Sequence, residues 1–561
     1  MRSRQALRAP RLTGLAVALL CLVGCAAHAA RRERLPTDWR PVHYDVALTF
    51  DDRLTTLARA ETRVTIVVLR PAVRLIDFDF GALTVDGVRV GAEAARYEQR
   101  GGRLNVALPR PAHAREQITI TVTYHGRPAD GLIFTNDTDG HASATGDNWP
   151  DRVHNWIPTL DHPAAKATVN FTVNAPERYK VVANGSYVGG GSEELRQTWL
   201  YQERAPVPPY CMVVAVGEFA RVSEPWPRQD TPSVLKWLAY YVPPSAEGRA
   251  RASFAAAPVA LDLYSGLVAP FPYEKLAHIV GATRFGGMEN SSAIVYTSTL
   301  LDPRPDEPVS RRFGVRRGLV EVVAHETAHQ WFGDAVTPAT WADLWLSEGF
   351  ATYFAGLFVE RAEGAPEFRA YMRRAADKVI AYEREPRPPV YDRDTENLNA
   401  LLNANSYQKG AWVLHMLRAR FGDEHFMAAL RRYYRAHLHA NATTEDLRAA
   451  FEAETGAPLR EFFARWVYGG GHPRYELTWA WEPGGARGGF VRLTLRQTQA
   501  AAPFLTPLPV EFVNAGTTRR VTLTPAGRVT VARFPAPARP DDVRLDPDET
   551  ILKEARVAAA R

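Results

Sequence analysis

Residues 322–354 read VVAHETAHQWFGDAVTPATWADLWLSEGFATYF, and the most specific signal of the chain lies within them. The segment HETAH, residues 325–329, matches the H-E-x-x-H pattern. Residues four apart lie on one face of a helix, so two imidazoles can reach one metal ion. Residues 318–332 contain no proline and only their first residue is glycine, which favours a helix. So short a match also arises by chance in exposed, charged helices.

A glutamate further along the same stretch can complete a metal site. Glu348 follows His329 with eighteen residues between them, which allows a loop and a second, antiparallel helix. A catalytic zinc takes three protein ligands and keeps a fourth position open for water. The alternative interpretation of Glu348 is a solvent-exposed glutamate on a helix. Its neighbours are apolar, however, and a glutamate among apolar residues usually has a charged or hydrogen-bonding partner. The sequence therefore predicts a zinc site formed by His325, His329 and Glu348.

Two further motifs flank this stretch. Upstream, residues 286–290 read GGMEN, and downstream, residues 406–411 read SYQKGA. In this order, the three motifs resemble those of the aminopeptidase N family of gluzincin metallopeptidases, whose exopeptidase motif is Gly-Ala/Gly-Met-Glu-Asn. The resemblance extends weakly to both ends of the chain and is strongest from about 270 to 415. A chance match of three ordered motifs is very improbable.

The resemblance implies the chemistry of the metal site. One zinc ion per chain would be held by His325, His329 and Glu348, where it lowers the pKa of a water molecule and polarises the scissile carbonyl. Glu326 would not be a ligand but the general base, which takes the proton of the water and later delivers it to the leaving amine. Tyr407 would donate a hydrogen bond to the tetrahedral oxyanion. Without the family motif, Tyr407 would be interpreted as a core aromatic residue.

The resemblance also implies how the substrate binds. Glu289 would bind the α-ammonium group of a peptide with a free N-terminus through charge-assisted hydrogen bonds. Gly286 and Gly287 would allow the backbone to approach the substrate closely, in an edge-strand contact. Met288 would help to shape the pocket for the N-terminal side chain. These residues predict a zinc aminopeptidase.

The sequence departs from the family pattern in several places. Many relatives carry a Glu or Gln as a second amine ligand where this chain has Trp149, and Asp147 and Asn148 are the nearby candidates for that role. The chain also ends soon after its last predicted strands, so we expect it to lack the large C-terminal helical domain of many relatives. The alternatives are another zinc hydrolase on the same scaffold (an endopeptidase or epoxide hydrolase) and a non-catalytic binding protein. Glu289 disfavours an endopeptidase.

The pattern of apolar residues predicts an α+β protein with several domains, since 561 residues are too many for one core. Apolar and polar residues alternate before position 228, as in 44–48 and 118–124, which predicts an antiparallel β domain over 25–228. Helical spacing follows, in 316–332, 343–361, 408–420 and 443–454, which predicts a mainly helical domain over 229–468. The resemblance makes it thermolysin-like and catalytic. Alternation returns after Gly469, which predicts a C-terminal β-sandwich over 469–561.

The N-terminus resembles a bacterial export signal over residues 1–24. Four arginines precede a short apolar run, residues 14–23. LVGC at 22–25 resembles a lipobox, which predicts that Cys25 is lipidated, whereas AHA at 27–29 is an alternative site for ordinary secretion. We therefore expect an exported protein, held in the cell envelope only by a lipid anchor.

The charge and cysteine content exclude other classes. The formal net charge is +6, but four of the positive charges lie in the leader. The rest of the chain has no stripe of basic residues interleaved with aromatic ones, so the sequence does not indicate nucleic-acid binding. Of three cysteines, only Cys211 lies outside the leader and its junction, so no disulfide framework forms and a buried thiol is expected. The oligomeric state stays open.

Overall fold

The structure is a computed structural model that describes residues 31–225, 237–484 and 488–560. The predicted signal segment and Cys25 lie outside the described residues. Along the chain, a β-rich region is followed by a largely helical region and then by a second β-rich region. The α+β class predicted from the apolar pattern is therefore confirmed. No helix within the described ranges is long and apolar enough to cross a membrane.

Fifteen strands build the described part of the N-terminal region, and alternate residues of the longer strands face its core. Tyr44, Val46 and Leu48 are each at most 1% exposed. The strands form sheets with the orders β13-β14-β11-β1-β2-β8-β4-β5, β12-β15-β10-β9 and β3-β7-β6 once numbered along the chain. They are β1 (Trp39–Phe50), β2 (Leu57–Val68), β3 (Val73–Asp79), β4 (Thr84–Val90), β5 (Glu93–Ala94), β6 (Tyr97–Arg100), β7 (Arg103–Ala112), β8 (Gln117–Gly126), β9 (Leu132–Asn136), β10 (Ala142–Gly146), β11 (Ala167–Pro176), β12 (Lys180–Ala183), β13 (Ser186–Glu193), β14 (Arg196–Val207) and β15 (Val214–Gly217).

The largest of these sheets is mixed, which corrects the prediction of a purely antiparallel domain. Strands β1 and β11 pair in parallel, with His43 opposite Thr168 and Thr49 opposite Asn174. Neighbours joined by a hairpin must be antiparallel, but these two strands are separated by a long excursion through the other sheets. Alternation of side chains is the same in both arrangements, so the sequence pattern could not distinguish them.

The second region combines a small sheet with eight helices among the described residues. Its sheet has the order β16-β17-β18-β20-β19 and begins before position 228, where the sequence suggested a boundary. The elements are β16 (Ala220–Pro225), β17 (Trp237–Val242), α1 (Ala250–Ser253), α2 (Ala256–Leu267), β18 (Lys275–Gly281), β19 (Gly287–Met288), β20 (Ala293–Thr297), α3 (Arg317–His329), β21 (Thr337–Pro338), α4 (Trp345–Glu363), α5 (Ala365–Tyr382), a π-helical turn (Asn405–Lys409), α6 (Gly410–His437, kinked at Gly422), β22 (Asn441–Ala442), α7 (Thr444–Thr455) and α8 (Arg460–Trp466).

Helix α4 is the centre of this region. All fifteen residues from Trp345 to Val359 are buried, as expected of a helix surrounded by protein on every side. Gly349 allows the start of α6 to approach closely, because a Cβ there would lie 2.8 Å from the Cα of Gly410. This contact brings the π-helical turn, which carries Tyr407, against the part of α4 that carries Glu348.

The C-terminal region consists of two sheets with the orders β27-β24-β23-β29 and β26-β25-β28. Their buried faces share one core, in which the rings of Phe512 and Phe534 lie 6.1 Å apart. Strand β29 is parallel to β23, and the other pairs are antiparallel. The strands are β23 (Arg474–Pro483), β24 (Gly489–Gln497), β25 (Leu508–Asn514), β26 (Thr517–Leu523), β27 (Val529–Ala536), β28 (Asp542–Leu545) and β29 (Glu554–Ala559).

A buried lysine joins the first two regions. Lys166 Nζ donates hydrogen bonds to the carbonyl oxygens of Asp334 at 2.8 Å, Ala335 at 3.0 Å and Ala440 at 3.4 Å. Nearby, the predicted buried thiol Cys211 is 0% exposed and donates to Asp334 Oδ1 at 3.4 Å. These bonds fix the N-terminal region against the loop that follows α3.

Candidate metal centre

The three predicted metal ligands meet at the packed faces of α3 and α4. His325 and His329 lie one turn apart on α3, and Glu348 lies in the first turn of α4. The two imidazole Nε2 atoms are 3.0 Å apart, and each lies 3.4 Å from Glu348 Oε2. The helical spacing and the antiparallel return predicted from the sequence therefore bring these three side chains together.

The geometry of this triangle fits a zinc ion. Bonds of about 2.0–2.1 Å at tetrahedral angles separate ligand atoms by about 3.3–3.4 Å, close to the spacing found here. Glu348 Oε2 is buried and, among the described residues, has no hydrogen-bond partner. A buried carboxylate oxygen without a partner is costly unless a cation accompanies it. Two imidazoles and one carboxylate are also a donor set that zinc prefers.

The orientation of the His329 ring is fixed by contacts at Nδ1, the nitrogen that faces away from the other two ligands. Its Nδ1 atom lies 3.0 Å from Ser347 Oγ and 3.3 Å from the carbonyl oxygen of Phe332. Because a carbonyl only accepts hydrogen bonds, the neutral ring carries its proton on Nδ1, which leaves the Nε2 lone pair for a metal that takes the place of a second proton. Gly333 makes this arrangement possible, since a Cβ there would lie 2.5 Å from Ser347 Oγ. The sequence patterns did not single out Ser347, although its place beside Glu348 in the motif could have indicated it.

Glu326 lies beside the ligands and lines the same cleft. Its side chain faces the backbone of β19, where a Cβ at Gly287 would come within 2.4 Å of Glu326 Cδ. Burial raises the pKa of Glu326 well above its usual range, and the nearby carboxylates of Glu289 and Glu348 add to the effect. The absence of a side chain at Gly287 therefore leaves the space that Glu326 occupies.

Glu289 lies in the same cluster. One of its carboxylate oxygens, one of Glu326 and a ring nitrogen of His329 all lie within 4.8 Å of one another. Burial raises the pKa of Glu289 to about 7. Burial lowers the pKa of His329, but the carboxylates, Glu348 foremost, raise it to about 10. Three buried carboxylates therefore draw positive charge into the cleft.

Strand β19 lies at the edge of its sheet and faces the cleft. It pairs on one side with β20, where Gly287 lies opposite Tyr296 and Met288 opposite Val295. A Cβ at Gly286 would meet no atom within 4 Å, so the space beside this residue is open. Met288 is 1% exposed and lines the cleft. An extended chain could pair with this edge by backbone hydrogen bonds.

Tyr407 completes the cleft from the π-helical turn. Its ring stacks on that of His325 with centroids 5.9 Å apart and an angle of 8° between the planes. Burial raises the pKa of Tyr407 well above its usual range, and the carboxylate of Glu348 adds to this, so the phenol keeps its proton. The phenol can therefore serve as a hydrogen-bond donor in the cleft.

Trp149 occupies part of the cleft wall. It is 2% exposed, and its ring contacts those of Phe285 at 5.8 Å and Trp341 at 5.7 Å. Neither candidate for a second amine ligand is free: Asp147 pairs with Arg152 at 3.0 Å, and Asn148 accepts from Trp156 Nε1 and donates to the Met212 carbonyl. The cleft is lined by Trp149, Phe285, Gly287, Met288, Glu289, His325, Glu326, His329, Glu348, Leu402 and Tyr407.

Comparison with known proteins agrees with this site. The Peptidase M1 N-terminal domain matches residues 40–210, and the Peptidase family M1 domain matches residues 259–466. The chain is 26% identical to a leucyl aminopeptidase of Saccharolobus solfataricus over 71% of this chain and 50% of that protein. It is 31% identical to aminopeptidase M1 of Arabidopsis thaliana over 56% of this chain and 36% of that protein. The chain thus spans about half the length of these curated relatives or less.

A solved structure extends the similarity to the fold. An M1 zinc metallopeptidase from Deinococcus radiodurans superimposes with a TM-score of 0.64 and 25% identity, over 77% of this chain and 94% of that chain. Two matching domains, the shared fold and a cluster suited to zinc all agree with the resemblance to aminopeptidase N. This chain belongs to the peptidase M1 family.

Proposed function

We propose that the protein is a zinc aminopeptidase, which removes N-terminal residues from peptides. The observation that carries this proposal is the position of Glu289, whose carboxylate lies within 4.8 Å of donor atoms of His329 and Glu326. A divalent cation and one ammonium group would neutralise the three buried carboxylates of Glu289, Glu326 and Glu348. The free N-terminus of a peptide supplies that ammonium group.

His325, His329 and Glu348 hold the zinc ion in this proposal. When bound, zinc lowers the pKa of a water molecule and polarises the substrate carbonyl. Ser347 and the Phe332 carbonyl keep the proton of His329 on Nδ1, and so keep Nε2 directed at the ion. The triangle of ligand atoms supports this assignment.

Glu326 and Tyr407 carry the proton and oxyanion chemistry. Glu326 accepts a proton from the attacking water and passes it to the nitrogen of the leaving peptide. Tyr407 keeps its own proton and donates a hydrogen bond to the carbonyl oxygen as negative charge develops there. The stacking of Tyr407 on His325 supports this role because it holds the phenol beside the metal ligands.

Glu289 and strand β19 position the substrate. The carboxylate of Glu289 binds the α-ammonium, while the open edge at Gly286 and Gly287 pairs with the substrate backbone. Met288 borders the pocket for the N-terminal side chain. Together these contacts hold the first peptide bond over the zinc ligands, so that residues leave one at a time.

The finer fold assignments are also proposals. We assign a β domain to 25–228, a thermolysin-like catalytic domain to 229–468 and a β-sandwich to 469–561. The packing of α3 against α4 around the ligands and the shared core of the two C-terminal sheets support these assignments. Because β16 pairs with β17, residues 220–225 pack with the sheet of the second domain, although they lie before the assigned boundary.

A matched pair of peptides tests the proposed activity. One peptide carries a free N-terminus, and the other is the same peptide acetylated at its α-amine. Acetylation removes the positive charge and leaves Glu289 buried without a partner, so kcat/KM for the acetylated peptide should fall by more than 10²-fold, about 3 kcal/mol. Activity should disappear with a zinc chelator and return when zinc is added.

Glu289→Ala and Glu289→Gln are the matched variants. Both should retain zinc, because Glu289 is not one of its three proposed ligands. Both should also reduce the ratio of kcat/KM between the free and the acetylated peptide. Equal kcat/KM for the pair on the wild-type protein would refute the aminopeptidase function and favour an endopeptidase. Activity that survives complete removal of zinc would refute the metal chemistry.

We also propose that the protein is exported and anchored in the bacterial cell envelope through a lipid on Cys25. The order LVGC at the end of the apolar run supports this proposal. Mass spectrometry of the mature N-terminus tests it. A lipidated Cys25 as first residue is expected, whereas an unmodified start at Ala30 would show ordinary secretion.

A further inference from the structure

The side chain of Gln330 connects the metal-binding helix to the segment that carries Glu289. Gln330 directly follows His329 at the end of α3 and is 0% exposed. Its Nε2 donates to the carbonyl oxygen of Glu289 at 3.0 Å and to Asp334 Oδ2 at 2.8 Å. Its Oε1 accepts from the backbone N–H of Ser292 at 2.7 Å. One amide thus holds both ends of a four-residue segment.

The segment held by Gln330 needs support because its backbone is strained. Ser292 has φ = +62°, which lies in the left-handed region that non-glycine residues rarely adopt. The Ser292 hydroxyl donates to Glu203 Oε2 at 2.9 Å and accepts from the N–H of Gly185 at 2.8 Å. Asn184 Nδ2 donates to the carbonyl of Ser291 at 2.6 Å. The N-terminal region therefore braces one side of the segment, and Gln330 braces the other.

We propose that Gln330 is a positioning residue that sets the distance between the zinc ligands and Glu289. This inference rests on the proposed aminopeptidase function. Removal of a single residue requires a fixed separation between the ammonium site and the metal, because the first peptide bond must lie over the ion when the amine is bound. Gln330 fixes that separation, since its backbone continues from His329 and its amide binds the carbonyl of Glu289.

The contact of Gln330 with Glu289 can be separated from its other hydrogen bonds. Gln330→Glu alone would place the new carboxylate next to that of Asp334, and the two negative charges would repel each other. Combined with Asp334→Asn, the new carboxylate still accepts from Ser292 and also accepts from the new amide at position 334. The contacts with the carbonyl oxygens of Glu289 and, at 3.5 Å, of Asn290 then become repulsive, because acceptor oxygens face each other, while the bonds to Ser292 and to residue 334 remain.

The double variant should bind zinc at the wild-type ratio but recognise free amines poorly. We expect KM for the free peptide to rise by about 10- to 100-fold, as for other residues that orient an active site, with kcat changed by less than about threefold. The preference for the free over the acetylated peptide should fall by a similar factor. Asp334→Asn alone is the matched control: it keeps the bond from Gln330 to Glu289 and should keep the wild-type preference.

Gln330→Asn provides a second variant should the double variant fail to fold. It keeps an amide but shortens the side chain by one methylene, so the bond to Glu289 is lost, and the same rise in KM is expected. A zinc-loaded Gln330 variant with wild-type KM and preference would overturn this inference, while the wild-type preference would still support the aminopeptidase function. A fall in kcat alone would also overturn it. A wild-type protein without any preference would instead refute the proposed function itself.

Discussion

Gly287 leaves the space that the carboxylate of Glu326 occupies: a Cβ atom added to it would lie 2.4 Å from Glu326 Cδ and Oε1. Real Cβ atoms do not approach other atoms so closely, so one side must move. Glu326 is the end of a flexible side chain, whereas Gly287 is fixed by its pairing with Tyr296. A side chain at position 287 would therefore displace Glu326, the proposed general base, rather than unfold the sheet.

Gly287→Ala should lower kcat while the protein stays folded and loaded with zinc. Displacement of a catalytic group by about 1 Å can reduce the rate on the order of 10²-fold. Steady-state kinetics with a zinc determination measure this effect. Gly286→Ala is the matched comparison, because a Cβ there meets no atom within 4 Å and leaves Glu326 in place. If the two variants lose kcat equally, the contact with Glu326 is not responsible.

Glu326→Gln should retain zinc but lose about 10²- to 10⁴-fold in kcat, because an amide fills the same space but cannot accept the proton of water. The metal content of the purified variant must be measured together with its activity. A zinc-loaded variant with near-normal kcat would show that another group acts as the base.

Tyr407→Phe should lower kcat on the order of 10²- to 10³-fold and change KM little, because the phenol acts on the oxyanion and not on the bound substrate. The stacking on His325 survives this substitution, so the zinc content should not change. An effect limited to KM would instead indicate a role in packing or in substrate binding.

A buried ion pair next to Tyr407 should make stability depend on pH. Lys409, in the same π-helical turn, donates to Glu383 Oε1 at 2.7 Å, and His472 Nδ1 lies 2.7 Å from Glu383 Oε2. Burial raises the pKa of Glu383, but the hydrogen bond to His472 and the charge of Lys409 lower it to about 2. Because the folded pKa lies below the usual value, this stabilisation is complete above about pH 4.5 and is lost as the pH falls towards 2.

Glu383→Gln should lower the free energy of unfolding by about 3–5 kcal/mol at pH 7, since it leaves the charge of Lys409 buried and unpaired. The difference from wild type should be constant from pH 7 to 5 and should shrink below about pH 4.5. Chemical denaturation at several pH values measures both effects. Glu385→Gln is the control, because that side chain is 77% exposed and its pair with Arg387 is worth little. Equal losses for the two variants would contradict the proposed importance of the buried pair.

The clustering of His325, His329 and Glu348 could be predicted from the sequence because their geometry is local. The spacing of His325 and His329 follows from one turn of a helix, and the apolar neighbours of Glu348 indicated a buried, partnered carboxylate. The helices and the longer strands followed from the same kind of periodicity. The pairing of Gln330 with Glu289 could not be predicted, because it joins residues that are distant in sequence through a side chain whose type has no fixed chemical role.

The small sheet next to the metal centre was also missed. In β18, residues 276–280 are all buried, so the alternation that indicates a strand is absent. Strand β19 has only two residues, too few for any pattern. The parallel pairing of β1 with β11 could not be predicted for another reason. It depends on the path of the chain between the two strands and not on the sequence of either strand.

The bonds from Asn184 and Glu203 to the segment behind Glu289 have a consequence for how such enzymes can diverge. Both residues belong to the N-terminal region, yet they hold the residues that carry the amine-binding carboxylate. A recombination event that joined this catalytic region to a foreign β domain would keep the proposed zinc ligands and Glu326, which lie on α3 and α4. It would remove the hydrogen bonds of Asn184 and Glu203 with the segment behind Glu289. In the proposed function, peptide hydrolysis would then persist, but the number of residues removed in each cleavage would vary. Under the proposed function, the two regions would therefore have to be inherited together for exopeptidase activity to persist.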